Sequence, residues 1–351
     1  MPPVTRRFAI VAASAVALVA TSTAAQNIDP PPIFTVSPLD PAIIRVILPL
    51  GSMSPAEGGH VLPSDHIYLN WRDRPDSPFQ SLPIVLAPAP GTITAIQRAQ
   101  GAPDARITVQ VSRTFFYYLA HVEPDPALAV GMMLAPGQRV GTGTSRTVGI
   151  DLGVVNMEVS NQWASPRRYP LESRFGDSPF KYFAEPLRTT LRGKSERPGR
   201  ADGPGRDGAF NYDKVGTLAG NWWLTGAPDD EMAQAPQWAP YQLAFAYDRS
   251  TPGVVRVSVG GRLSVGAGLF GVQPLAPDPA SVTPASGITA YQLQWWPLRT
   301  GPLPGLMLVQ MLDDRRVRIE TFPGSSARTG TFTAAALIYE RGPEGPPLAP
   351  R

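Results

Sequence analysis

Thr114-Phe-Phe-Tyr-Tyr-Leu-Ala-His121, read with the two segments before it, Gly91-Thr-Ile-Thr-Ala-Ile96 and Ala105-Arg-Ile-Thr-Val-Gln-Val-Ser112, decides the fold class. The two earlier segments alternate apolar and polar side chains; the first is aromatic and β-prone. Strand side chains point to opposite faces in turn, so such runs bury one face against a core. Moving upstream, Ile43-Ile-Arg-Val-Ile-Leu48, His66-Ile-Tyr-Leu-Asn-Trp71 and Pro83-Ile-Val-Leu-Ala87 are short and strand-like as well. Runs of this length, split by Pro, Gly and Asp, mark an all-β chain. The best helical period lies at Phe180, Phe183, Leu187 and Leu191 and predicts a helix over 180–191.

Downstream the β pattern repeats. Candidate strands are Gly220–Leu224, Tyr241–Tyr247, Val254–Val259, Thr289–Trp295, Gly305–Met311, Arg316–Thr321 and Thr331–Tyr339. That spacing predicts an antiparallel β-barrel or sandwich. Between the halves, residues 193–209 are polar, rich in Gly and Pro and nearly free of apolar side chains, as expected of an exposed linker. The expected organisation is a leader at 1–25, a first β domain at 26–192, the linker at 193–209, a second β domain at 210–343 and a frayed tail at 344–351.

The chain opens with Arg6 and Arg7, an apolar run from Phe8 to Ala20, and Thr21-Ser-Thr-Ala-Ala25. That order predicts a secretory signal peptide cleaved after Ala25 and a periplasmic or secreted product without a transmembrane span. The alternative is an uncleaved anchor, for which the run is short against the ~20 residues a span needs. There is no cysteine, so stability rests on a core and not on disulfides. Against 28 Asp and Glu stand 31 Lys and Arg, two of them in the leader, so the mature chain is nearly neutral. The basic residues are scattered, which argues against a nucleic-acid partner.

The three histidines, His60, His66 and His121, all lie in the first half. His60 and His66 flank Asp65 in Gly58-Gly-His-Val-Leu-Pro-Ser-Asp-His66. A catalytic zinc site in a cysteine-free exported protein draws on His, Asp and Glu and needs three protein ligands plus an open position. The spacing equally suits polar loop residues or hydrogen-bonded core histidines.

Four features share an order and rough spacing with lysostaphin-like (M23) peptidases. They are His60 followed by Asp65, the stretch Val85-Leu-Ala-Pro-Ala-Pro-Gly-Thr-Ile93, the aromatic strand ending Tyr117-Tyr-Leu-Ala-His121, and the turn Gly137-Gln-Arg-Val-Gly141. On these the segment of about residues 56–157 resembles that family. The resemblance implies an antiparallel β domain of the duplicated-hybrid-motif type, zinc on His60 and Asp65, and His121 as the catalytic histidine. The family's third ligand is the second histidine of a His-x-His motif. Its place here falls in Ile150-Asp-Leu-Gly-Val154, with Asp151 first and Gly153 second. Glycine has no side chain to offer. The first motif is also one residue longer than the family's, which brings His66 into play.

Three functional readings follow. The first is an exported cell-envelope protein whose degenerate peptidase-like domain binds or regulates peptidoglycan or an envelope protein. The second is a zinc-dependent hydrolase with a rearranged set drawn from His60, Asp65, His66 and Asp151, with His121 as catalytic partner. The third is a small-ligand carrier built on the second β domain, which calls for a ligand-sized apolar cavity. The cofactor expectation is accordingly none or zinc. In the second half the conspicuous residues are Trp222-Trp223, Trp295-Trp296, Trp238, Tyr241 and Tyr291, as barrel core or as a stacking surface for sugars or peptides. Adjacent tryptophans on a strand face opposite ways, so one of each pair is expected to be partly exposed. Asp313, Asp314 and Glu320 are expected in a turn and on an exposed strand face, without a catalytic role.

Overall fold

A computed structural model describes residues 33–57, 59–74, 76, 81–98, 102–196, 207–297 and 301–345. The signal peptide expected at 1–25, the middle of the 193–209 segment and all of the 344–351 tail but its first two residues lie outside the described residues.

Gly149–Asn156 runs through the middle of the first domain. Seven of its eight residues are buried, because strands flank it on both edges and its two faces are both covered. In chain order the strands are β1 (Val46–Leu48), β2 (His66–Asn70), β3 (Ile84–Leu86), β4 (Gly91–Arg98), β5 (Ala105–Gln110), β6 (Phe115–Pro124), β7 (Met133–Leu134), β8 (Arg139–Thr142), β9 (Gly149–Asn156) and β10 (Gly176–Asp177). The main path runs β1-β2-β9-β6-β5-β4-β7, with β10 on β9, and β8 joining β3 to β6. Every pairing is antiparallel. The alternation at 91–112 and the aromatic segment 114–121 thus form adjacent strands, as the sequence predicts. Phe34, Phe115, Tyr117, Tyr182 and Phe183 close over one another as an aromatic cluster in the core.

The single helix expected over 180–191 is two pieces. A 3-10 turn covers Pro179–Tyr182 and a helix covers Leu187–Arg192, with Pro186 as its N-cap residue. Proline has no N–H and its ring opposes a preceding helical turn, so it can open a helix but not continue one. The apolar positions that suggested the helix are nevertheless core residues: Phe180, Phe183 and Leu191 are buried.

The second domain is a closed barrel of eight strands in chain order, β11 (Gly220–Leu224), β12 (Gln242–Tyr247), β13 (Val255–Val259), β14 (Gly268–Val272), β15 (Thr289–Trp295), β16 (Gly305–Met311), β17 (Arg316–Phe322) and β18 (Leu337–Glu340). Closure by β11 on β18 removes both sheet edges. β14, with two glycines in five residues, carries little strand signal in sequence. Of the strand expected at 331–339 only Leu337–Glu340 forms. Trp222, Phe245, Val257, Phe270, Tyr291, Met307, Ile319 and Tyr339 pack together as one buried cluster in this domain. Side chains therefore occupy the space a ligand carrier would need open. Glu320 departs from expectation: it is buried and accepts hydrogen bonds from the Thr333 amide (2.7 Å) and hydroxyl (2.5 Å).

The two domains share a core. Trp222 and Trp223 face opposite ways, yet both are 0% exposed. Trp222 belongs to the barrel cluster, whereas Trp223, Ala244 and Ala246 belong to the cluster of the first domain. Tyr169 stacks on Trp163 at 3.7 Å and meets Trp223 edge-on at 5.5 Å. Arg168, fully buried, reaches Asp229 (2.6 Å) and the Glu340 carbonyl (3.2 Å) in the barrel. The ends of the 193–209 segment are also tied down, by bridges of Ser195 to Ile47 and of Gly208 to Leu50.

Candidate functional site

Three neighbouring strands place the side chains singled out by the sequence. The register sets His66 of β2 opposite Gly153 of β9, and Gly153 opposite Tyr118 of β6. One row along, Tyr68, Asp151 and Ala120 stand abreast. Because faces alternate, His66, Asp151, Gly153 and Tyr118 all lie on one face. His121 reaches the same place by a bulge. Between Ala105↔Val122 and Ile107↔Leu119, β6 carries one more residue than β5. His121 absorbs it with φ 61, a left-handed conformation more open to histidine than to most side chains.

The result is an alternating row of carboxylates and imidazoles. Asp65 Oδ1 lies 3.0 Å from His66 Nδ1. His66 Nε2 and His121 Nε2 each lie 3.5 Å from Asp151 Oδ2. His121 Nδ1 is held by Asp104 Oδ2 at 2.9 Å. His66 and Asp151 are each only 6% exposed, while the His121 side chain is 43% exposed and forms the open end. His60 stands beside the row, its ring 5.0 Å from that of His66.

Electrostatics follow from this packing. Burial works to lift the Asp65 pKa, but the bonds from His66, Ser173 and Tyr118 outweigh it and hold the carboxyl well below the usual range. Burial disfavours charge on His66, yet Asp151 and Asp65 on either side prevail and raise its pKa. Although His60 as a residue reaches solvent, desolvation by surrounding protein and the neighbouring His66 push its imidazole down to about 4. Burial, then the Asp65 charge, push the Tyr118 phenol well up, so it keeps its proton and donates to Asp65 Oδ1 at 3.0 Å.

Tyr118 also explains Gly153. A Cβ at position 153 would fall inside the Tyr118 ring. The Arg106 guanidinium packs over the ring, 3.7 Å from its centre, and is itself paired with Glu172 at 2.7 Å. A tyrosine from β6 therefore fills the volume in which a ligand side chain from position 153 would stand.

The zinc set implied by the resemblance does not fit these residues. Both Asp65 oxygens are engaged, Oδ1 by His66 and Tyr118 and Oδ2 by the Ser173 hydroxyl at 2.5 Å. Position 153 has no side chain and no room for one. Among the described residues, no three His, Asp or Glu side chains form an arrangement that holds a metal ion as placed. Within this row, His66 Nε2 and Asp151 Oδ1 are buried without a hydrogen-bond partner, and His66 Nε2 keeps its ion pair with Asp151 Oδ2.

His66, His121 and Asp151 thus converge, Asp65 backs His66, and His60 lies alongside. Sequence reading missed Tyr118, Asp104 and Ser173. Tyr118 was in view within the aromatic strand, and its spacing of two from Ala120 puts it on the face of the strand that meets Asp151 and Gly153. Ser173, on the short helix Leu171–Arg174, gives no signal in sequence.

No family model and no curated protein matches the chain. Solved structures do. A zinc-containing peptidase from Vibrio cholerae is similar over 36% of this chain and 37% of its own, at 14% identity and TM-score 0.28. Csd3 of Helicobacter pylori matches over 44% of this chain and 35% of its own, at 12% identity and TM-score 0.30. The catalytic domain of the prophage-encoded M23 protein EnpA from Enterococcus faecalis matches over 24% of this chain and 75% of its own, at 18% identity and TM-score 0.17. The chain thus spans little more than a third of the first two. The neighbours include M23-family peptidases.

Proposed function

We propose that the protein is exported to the cell envelope and that its first domain is a peptidase-like frame without peptidase activity, which binds peptidoglycan or an envelope protein. The single observation that carries this is the Tyr118 ring over Gly153. In the resembled family a histidine at the latter place completes the zinc site. Here tyrosine takes the volume, and its hydroxyl bonds Asp65, the residue that would be another ligand. Zinc would otherwise polarise the scissile carbonyl and activate water, and a site lacking two of three ligands loses that chemistry. Fold alone does not fix function, so the peptidoglycan partner comes from the resemblance and from the expected export.

The test is incubation of the purified mature protein with intact sacculi and with cross-linked muropeptides, with zinc supplied. Sedimentation with sacculi and an unchanged fragment pattern on chromatography are expected. Cleavage that disappears in His121→Ala overturns the non-peptidase reading.

A further inference from the structure

Of the pair Trp295-Trp296, Trp295 packs against the barrel cluster, whereas Trp296, just past the end of β15, is 39% exposed. Trp296 lines a cleft of about 770 Å³ between the two domains. One wall is residues 51–56 with Tyr68 and Asn70 of β2; the other is the barrel surface at Arg256 and Leu269, with the loop 248–251. Ligand sites have volumes of roughly 300–1,000 Å³ and favour domain interfaces. We infer that this cleft binds an uncharged oligosaccharide, with one sugar ring stacked on Trp296. In the cell envelope that ligand is the glycan strand of peptidoglycan, and to this extent the inference rests on the function proposed above.

The indole is a platform prepared in advance. The Arg256 guanidinium lies over it, 3.5 Å from the ring centre, so one face is covered and the exposure belongs to the rest. Arg256 is itself only 3% exposed. Its Nε donates to Asp248 Oδ2 at 2.9 Å and its Nη1 to the Val255 carbonyl at 3.1 Å, which leaves Nη2 for a ligand oxygen. Asp248 is held in turn by the amides of Ser250 (3.0 Å) and Thr251 (2.8 Å). A ring fixed before binding loses little freedom when a ligand covers it. The apolar C–H face of a sugar ring matches the apolar body of an indole, and its hydroxyls meet the polar groups around it.

Charge is the independent second line. The charged side chains lining the cleft are Glu196, Asp248, Arg249 and Arg256. They pair one to one: Arg249 Nε with Glu196 Oε2 at 2.9 Å, and Arg256 Nε with Asp248 Oδ2 at 2.9 Å. The lining is therefore neutral, and an ionic ligand would have to enter without a counter-charge or break a pair, both of which cost free energy. What the cleft offers an entering molecule is hydroxyl and amide groups, from Ser52, Ser54, Thr251, Tyr68 and Asn70, beside an aromatic ring. That combination suits a neutral, hydroxyl-rich ligand.

Extended peptides are the competing class, and the strand edges speak against them. An added peptide strand needs a free sheet edge. The barrel is closed. The outer edge of β1, which contributes Leu48 to the cleft, is taken: the Ile47 amide donates to the Lys194 carbonyl at 2.9 Å and the Glu196 amide to the Ile47 carbonyl at 3.0 Å. The cleft also adjoins the histidine row, because Tyr68 lines it and packs its ring 4.9 Å from that of His66. A glycan held on Trp296 therefore lies alongside the peptidase-like face of the first domain, in a site that exists only because the barrel supplies the opposite wall.

The experiment is calorimetric titration of the mature protein with chitotetraose, cellotetraose and maltotetraose, and with oligogalacturonate of equal length as the charged control. Saturable one-to-one binding of at least one neutral sugar, tighter than that of oligogalacturonate, is expected. Trp296→Ala should weaken it on the order of 10-fold or more, as loss of an aromatic anchor does. Trp296→Phe, which keeps a ring, should retain more affinity than Trp296→Ala, and Trp238→Phe, outside the cleft, should match the wild type. In the wild type the sugar should also shield tryptophan fluorescence from acrylamide, a readout that carries the test if Trp296→Ala does not fold. The proposal is overturned if no neutral sugar binds, if binding is equal in the wild type and Trp296→Ala, if the sugar leaves acrylamide quenching unchanged, or if oligogalacturonate binds more tightly. Sedimentation with sacculi but no binding of free sugars overturns the cleft and leaves the envelope reading standing. Sugar binding together with muropeptide cleavage overturns the non-peptidase reading and leaves the cleft standing.

Discussion

The ring of Tyr118 occupies the space that any side chain at Gly153 would need. The two are cross-strand neighbours on β6 and β9, and the row continues to His66 on β2. The glycine is therefore a packing requirement of the tyrosine, and the two positions should be energetically coupled.

Gly153→Ala is expected to destabilise the protein by about 1–3 kcal/mol, since overpacking forces ring or backbone to shift. Combined with Tyr118→Ala, the same substitution should cost less, giving a double-mutant coupling of about 1 kcal/mol or more. Denaturant unfolding of the four variants measures it. Additive costs would show that the ring yields freely and that the glycine has another cause.

Tyr118→Phe leaves the ring and removes the hydroxyl. Asp65 keeps Ser173 and His66 as partners. The expected loss is about 1.5–3 kcal/mol, that of a hydrogen bond to a charged group. An unchanged unfolding midpoint would mean that the hydroxyl contributes nothing to holding Asp65.

The all-β class was legible because alternation at 91–112 and the aromatic run at 114–121 are local signals of strands half-buried on a core. Register was not legible. The sequence shows a glycine at 153, but only the pairing of β6 with β9 reveals that the Tyr118 ring takes the space beside it. His121 stands out in the sequence at the end of the aromatic run, whereas the bulge that turns it with φ 61 depends on the register of β5. The helix expected over 180–191 fails for a reason that is present in the sequence: Pro186 outweighs the apolar period. Glu320 reads as exposed because strand alternation ignores what crosses the barrel wall, here the segment carrying Thr333. Trp223 is buried because the first domain covers the outer face of β11.

Glu320→Ala should release that segment. Its carboxylate bonds both the amide and the hydroxyl of Thr333, so the substitution leaves a buried amide unpaired at a cost of about 1–3 kcal/mol. Limited proteolysis should then cut between residues 325 and 336 faster than in the wild type. Glu320→Gln, which keeps an acceptor for the amide, should fall between the two. Equal cleavage rates in all three proteins would show that Glu320 does not hold the segment.

The shared core predicts that the two domains unfold together. Linked domains usually meet through modest, rather polar surfaces and behave independently. Here Trp163, Tyr169, Phe210 and Trp223 form one aromatic cluster spanning both. Arg168 adds a buried cation that touches Asp229 and the Glu340 carbonyl across the boundary. Tryptophan fluorescence, to which Trp163 and Trp223 of this junction contribute, and far-ultraviolet dichroism, which reports both sheets, should trace the same denaturant transition. Arg168→Ala removes the cation and about 1–3 kcal/mol of stability. Because the loss falls on the junction, it should also separate the unfolding of the two domains into two transitions. Two separated transitions already in the wild type would refute a common core, and a lower but still single transition in Arg168→Ala would place the coupling in the aromatic cluster alone.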